Sequence, residues 1–239
     1  MNAAAMNIGP LQRDDASGLS FRLRTPVPAH PRSCIVLLHG VGGDETNFAP
    51  LAGEFPDDTL VVLARGPLTL GPGQFGWFHV AFSATGPAIV EAEANESRLM
   101  LARLLAQLQA THGIAAERTI IAGFSQGGIM SAGVALTMPQ SVAGFGVLSG
   151  RILPEIKPHV ASREQLGHLR AFIAHGTHDN KLPVAWAQRS NDWLDELGVA
   201  RESHLYPIGH AVSGPMQADF LQWVRSIVSV SGSARPQVS

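Results

Sequence analysis

Cysteine, lysine and tyrosine are nearly missing from this chain of 239 residues. Cys34 is the only cysteine, so no intrachain disulfide can form and nothing marks an oxidising compartment. It lies within the apolar run Cys34-Ile-Val-Leu-Leu38, where an inert buried thiol is expected, because reactive cysteines need a polar, partly exposed setting. The two lysines are Lys157 and Lys181, the arginines are scattered, and the formal net charge is −2. A basic footprint for nucleic acid is therefore lacking. Met1 to Pro10 has neither a basic stretch nor a long apolar core, so no signal peptide is expected, and a cytoplasmic location rests on that absence alone. Charge is missing altogether from Thr119 to Gly150. A membrane span would explain this, but Pro139, Gln140 and the glycines interrupt it. A buried strand, a buried helix and a second buried strand fit better.

What is present alternates. Continuous apolar runs at Ser33–Leu38, Thr59–Ala64, Thr119–Phe124, Ala143–Leu148 and Leu169–Ala174 suit strands covered on both faces. A strand at Glu202–Tyr206 completes the set, and Leu19–Arg24 suits a short edge strand. Between them, helices are expected near Asn47–Phe55, at Ala92–His112 with Leu101, Leu104, Leu105 and Leu108 on one stripe, at Gln126–Met138, at Val184–Leu197 and at Pro215–Val230. This is an α/β pattern: a mostly parallel central sheet with helices on both faces. Residues 19–230 form one domain with no room for a large lid. Residues 1–18 are an extension poorly ordered at its start, and 231–239 are a polar tail. Arg65–Pro87 is expected as a long Gly/Pro-rich loop carrying Phe75, Trp77, Phe78 and Phe82, which either line a groove or pack the loop onto the core.

The segment Thr119-Ile-Ile-Ala-Gly-Phe-Ser125-Gln-Gly-Gly128 carries the chemistry. An apolar strand runs into Gly-x-Ser-x-Gly and then into a helix, the pattern of a nucleophile elbow. Gly123 and Gly127 remove Cβ atoms that would crowd a strand and helix packed so closely. A serine hydroxyl needs a base to take its proton. Sites in open α/β sheets form beyond the carboxyl ends of strands. Asp179 follows one such end through His175-Gly-Thr-His-Asp179, and His210 follows another through Pro207-Ile-Gly-His210. The order Ser125, Asp179, His210 is that of α/β-hydrolases. His210 would take the proton and Asp179 would hold the imidazole tautomer, so activity is expected to rise with pH as His210 becomes neutral.

Each assignment has a rival. Asp179 could cap a turn, and His210 could be an exposed loop residue. His175 and His178 lie nearer the acid but precede it on its own loop. His204 falls within a strand. The spacing His175-x-x-His178-Asp179 hints at a metal, yet no helix or cysteine cluster supports one, so no metal is expected. Leu38-His-Gly-Val-Gly-Gly-Asp44 supplies a glycine-rich loop after a strand, suited to an oxyanion hole made by the backbone N–H groups of Val41 and Gln126. His39 is expected to shape that loop, and Asp44 to start a helix.

The block Gly123-Phe-Ser-Gln-Gly-Gly128, with Leu38-His-Gly, His175-Gly-x-x-Asp179 and Gly209-His210, resembles the phospholipase/carboxylesterase family, which includes acyl-protein thioesterases and small bacterial carboxylesterases. The likeness runs from about Ser33 to Val230. It implies a lid-less α/β-hydrolase acting without a cofactor on small-molecule esters or thioesters, with homodimerisation as one option. Two departures stand out. His79 in Gly76-Trp-Phe-His79 occupies the position of the family's usual aspartate, and Asp179-Asn-Lys-Leu-Pro183 carries leucine where valine is common. A lactonase or an acyltransferase could use the same machinery. A non-catalytic binding protein would be expected to have lost a member of the triad.

Overall fold

The computed structural model describes residues 7–83 and 86–230; for 82, 83, 86, 87, 229 and 230 it describes the backbone alone. The start of the N-terminal extension and the tail at 231–239 therefore lie outside the described residues. In chain order the strands are β1 (Gln12–Arg13), β2 (Ser20–Leu23), β3 (Ser33–Leu38), β4 (Thr59–Arg65), β5 (Leu68–Gly71), β6 (Gln74–Gly76), β7 (Val80–Ser83), β8 (Gly86–Ile89), β9 (Thr119–Phe124), β10 (Gly144–Leu148), β11 (Arg170–Gly176) and β12 (Ala200–Tyr206). The α-helices are α1 (Ala49–Ala52), α2 (Glu91–His112), α3 (Gln126–Thr137), α4 (Arg163–Leu166), α5 (Ala185–Leu197) and α6 (Gly214–Val230).

Eight strands make one sheet in the order β1-β2-β4-β3-β9-β10-β11-β12. From β4 to β12 every neighbour is parallel, while β1 and β2 are antiparallel additions. The continuous apolar runs have the expected cause. In β3, Cys34, Val36 and Leu38 face one core with α2, α3 and α5, whereas Ile35 and Leu37 face a second core with α1 and α6. Two-sided burial removes any reason for polar alternation. Burial also pushes the Cys34 thiol up to about 12, which keeps it protonated and inert. By contrast β12, at the sheet edge, is polar, with exposed Glu202 and Ser203 and half-buried Arg201 and His204.

Three expectations change. Leu19–Arg24 is not the outermost strand, because β1 pairs outside β2. The helix near Asn47–Phe55 begins earlier, as a 3₁₀ turn at Glu45–Phe48 that continues into α1. Asp44 caps that turn by accepting from Thr46 N–H at 2.8 Å. The supposed loop Arg65–Pro87 is largely two hairpins, β5–β6 and β7–β8. Gly71-Pro-Gly-Gln74 links the first pair, with Gly73 at φ +68°, so a proline and a left-handed glycine build the turn. No separate lid domain is inserted among the described residues.

Candidate active site

Ser125 joins β9 to α3 at φ 53°, ψ −116°, a conformation that costs a residue bearing a Cβ on the order of 1–3 kcal/mol. The surroundings impose it. Ser125 N–H donates to Leu148 O at 2.8 Å, and Ile129 N–H donates to Ser125 O at 3.1 Å. A Cβ on Gly123 would lie 2.5 Å from the carbonyl carbon of Gly127, and one on Gly127 would collide with Leu38 O. The elbow therefore demands both glycines.

Beyond β11 and β12 the two other expected residues converge on this serine. His210 Nε2 stands 2.9 Å from Ser125 Oγ, and His210 Nδ1 stands 2.7 Å from Asp179 Oδ2. Asp179 Oδ1 accepts from the N–H groups of Lys181 and Leu182, both at 2.8 Å. Burial alone would raise the Asp179 pKa; the bonds from His210 and the two N–H groups outweigh it and hold the carboxyl below its ordinary range. An ionised Asp179 would hold a proton on His210 Nδ1 and leave Nε2 able to accept one from Ser125.

The loops carrying acid and base are tied together. Thr177 N–H donates to Tyr206 O at 2.8 Å, and His178 N–H donates to Ile208 O at 3.0 Å. Ser149, directly after β10, is the second non-glycine residue with positive φ among the described residues, at 50°. It is fully buried, and its hydroxyl donates to Ala211 O at 3.1 Å, next to His210.

The rival residues fall elsewhere. His175 is buried beside the acid, its Nε2 2.7 Å from Leu182 O and 3.4 Å from Asp179 Oδ2. His178 is exposed, and His204 contacts Glu202 on the edge strand at 2.7 Å. Among the described residues no group of His, Cys, Asp and Glu could hold a metal ion, and no helix is long and apolar enough to cross a membrane. His39 shapes its loop: its Nε2 accepts from Gly66 N–H at 2.9 Å, and its Nδ1 lies 2.7 Å from Gly40 O. Burial lowers its pKa, against the smaller effect of that Gly40 contact.

The loop His39–Gly43 crosses directly over the serine, and a Cβ on Gly40 would lie 3.3 Å from Ser125 Cβ. Gly42 N–H donates to Phe75 O at 2.8 Å and Phe75 N–H to Gly43 O at 2.9 Å. The β5–β6 hairpin thus buttresses the glycine loop. Gln126 opens α3, so its backbone N–H has no intrahelical acceptor. Its side chain accepts from Trp77 N–H at 2.7 Å and donates to Phe78 O at 2.6 Å, clamping that segment to the elbow.

A cavity of about 310 Å³ opens above Ser125 and His210, bounded by Gly40, Val41 and Gln126. Phe78, Val80, Ile89, Phe124, Ile129 and Leu182 make its apolar wall; Arg151 and Lys181 add charge. The expected aromatic lining is only partly realised. Phe78 reaches the cavity. Trp77 does not, because its indole is fully buried and donates to His39 O at 2.9 Å. Phe75 packs under the Arg65 guanidinium, 4.3 Å away, and serves the glycine loop. The side chain of Phe82 lies outside the described residues. His79, in place of the family's aspartate, binds Glu93 through its ring at 2.9 Å and its N–H at 2.7 Å. Arg151, Lys181, Ile129 and Leu182 escaped the sequence analysis. Arg151 had a signal: it is the first charge after a run without any, just beyond the end of β10, where sites form.

Comparison with known proteins agrees with this architecture. The family model described as phospholipase/carboxylesterase matches residues 27–228. Acyl-protein thioesterase 1 of Mycosarcoma maydis is 30% identical over 199 residues, covering 74% of this chain and 83% of that protein. Carboxylesterase SOBER1 of Arabidopsis thaliana is 26% identical, covering 87% and 96%. The crystal structure of a carboxylesterase from Mesorhizobium loti superposes with a TM-score of 0.76 at 25% identity, over 91% of this chain and 98% of that one. The fold is that of an α/β-hydrolase, and the chain belongs to the phospholipase/carboxylesterase family as a hydrolase of the esterase or thioesterase type.

Proposed function

We propose that the chain cleaves carboxylic esters or thioesters through an acyl-enzyme on Ser125. Ser125 Oγ attacks the carbonyl carbon while its proton passes to His210 Nε2. The C–O or C–S bond then breaks, and the leaving oxygen or sulfur takes that proton. Water repeats the sequence from the other side, losing a proton to His210 and releasing the acid with Ser125 restored. Asp179 stabilises the imidazolium in both halves. The N–H groups of Val41 and Gln126 receive the oxyanion, where each donor contributes roughly 10²–10³ in turnover.

The observation that carries this reading is the unbroken chain of contacts from Ser125 Oγ through His210 to Asp179, at 2.9 Å and 2.7 Å, on the floor of a cavity. Phe78 and its apolar neighbours would hold the acyl chain. The test is kcat/KM for p-nitrophenyl esters from acetyl to palmitoyl, with Ser125→Ala alongside. Turnover in the parent that the variant abolishes is expected, and the best chain length would size the groove. Full turnover in folded Ser125→Ala would overturn the assignment.

A further inference from the structure

The polar groups of the catalytic floor are paired within the protein, but a buried charged group in the same cavity is not. Arg151 is only 4% exposed and lines the cavity beside Ser125. Among the described residues its guanidinium makes no hydrogen bond and no ion pair. It stacks on Trp186, whose ring centroid lies 4.4 Å from the guanidinium carbon. That contact fixes the plane of the fork and partly offsets burial of the charge, without using an N–H donor. Glu155 is the carboxylate whose field reaches Arg151, yet no ion pair joins them. Arg189 stacks on the same indole at 4.7 Å, and Lys181 adds a second positive charge to the cavity lining. A buried, unpaired cation is costly, and its five donors match a carboxylate in bidentate geometry.

We infer that the substrate carries a carboxylate besides the ester or thioester bond, and that Arg151 binds it, with Lys181 assisting from the rim. This rests on the hydrolase reading above and narrows its substrate class to acidic esters, such as monoesters of dicarboxylic acids. A purely aliphatic acyl chain would leave the Arg151 fork desolvated and unmatched.

Two matched substrate pairs test it. Mono-p-nitrophenyl adipate against p-nitrophenyl hexanoate places the charge on the acyl side; 4-acetoxybenzoate against phenyl acetate places it on the leaving group. The readout is the ratio of kcat/KM, charged over neutral. In at least one pair the parent should favour the charged ester, and Arg151→Gln should lower that ratio by about 10-fold or more, mainly through KM, with Arg151→Lys restoring part of it. A ratio that Arg151→Gln leaves unchanged in both pairs would overturn the inference. Calorimetric binding of the same charged esters to Ser125→Ala, with and without Arg151→Gln, reads the contact without turnover. A 10-fold weakening supports the carboxylate site, and equal binding refutes it. Loss of all turnover by the parent would instead count against Ser125, so the two failures separate.

Discussion

The floor of the cavity and its charged wall are built on opposite rules. On the floor, Ser125 Oγ, both His210 nitrogens and both Asp179 oxygens have partners inside the protein, between 2.7 Å and 2.9 Å. Two non-glycine residues with positive φ, Ser125 and Ser149, are held there by neighbouring strands and loops. On the wall, Arg151 is more deeply buried, at 4% exposed against 6% for Asp179 and 8% for Ser125, and keeps its hydrogen-bond donors uncommitted among the described residues. A group satisfied internally fixes geometry for a reaction. A buried group left unsatisfied calls for an explanation, and for Arg151 the one proposed is an arriving carboxylate. On the reading proposed above, the floor would carry out acyl transfer, and the wall would select which acyl compounds are accepted.

The contrast is broken most severely at the floor. Ser125→Ala should lower kcat by about 10⁶-fold, since a triad acts as a unit, and steady-state kinetics on the preferred ester would measure it. Asp179→Asn should cost about 10⁴-fold in kcat by placing the imidazole in the wrong tautomer. Asp44→Asn, which touches only a helix cap, should cost far less; equal losses in the two variants would mean that the wrong acid has been chosen.

Glu45 sharpens the comparison from outside the cavity. It is a buried carboxylate, as Asp179 is, but its partners are Arg22 at 2.7 Å and Arg65 at 2.6 Å, and it underpins the glycine loop rather than the reaction. Burial would raise its pKa, yet the bonds from Arg65 and Arg22 pull it down to about 2. A carboxyl depressed on folding stabilises the protein above its unfolded pKa, so this contribution should fade as the pH drops from about 4.5 towards 2. Glu45→Gln should cost roughly 3 kcal/mol of stability at neutral pH. Thermal melts at pH 7 and pH 3 check both statements: the gap in Tm between parent and variant should be wide at pH 7 and narrower at pH 3. The smallest effect is expected at Ser149. Removing its hydroxyl as Ser149→Ala deletes one hydrogen bond to the His210 loop, about 1 kcal/mol, visible as a several-fold loss in kcat with KM nearly constant.

The same division explains what could be read from the sequence. Ser125, Asp179 and His210 were legible because each follows a strand, and strands buried on both faces announce themselves as unbroken apolar runs. The elbow adds glycines whose necessity is local to a strand and helix in contact. The wall was not legible in this way. Whether Trp77 lines a groove or fills the core depends on where its indole N–H finds an acceptor, and that acceptor, His39 O, lies 38 residues away in sequence. The hairpins at Leu68–Ile89 were hidden because their strands are three or four residues long and three of the four carry a glycine, although Pro72-Gly73 marked the first turn. Gln126 was expected to offer only its backbone N–H; its side-chain clamp on Trp77 and Phe78 needed the folded loop to be seen.

Covalent labelling addresses the catalytic floor most directly. The protein would be treated with a fluorophosphonate, digested, and the modified peptide sequenced by mass spectrometry. The geometry calls for a single adduct on Ser125, absent from Ser125→Ala and slowed in His210→Ala. An adduct on another serine, or labelling undiminished in Ser125→Ala, would show that the nucleophile lies elsewhere.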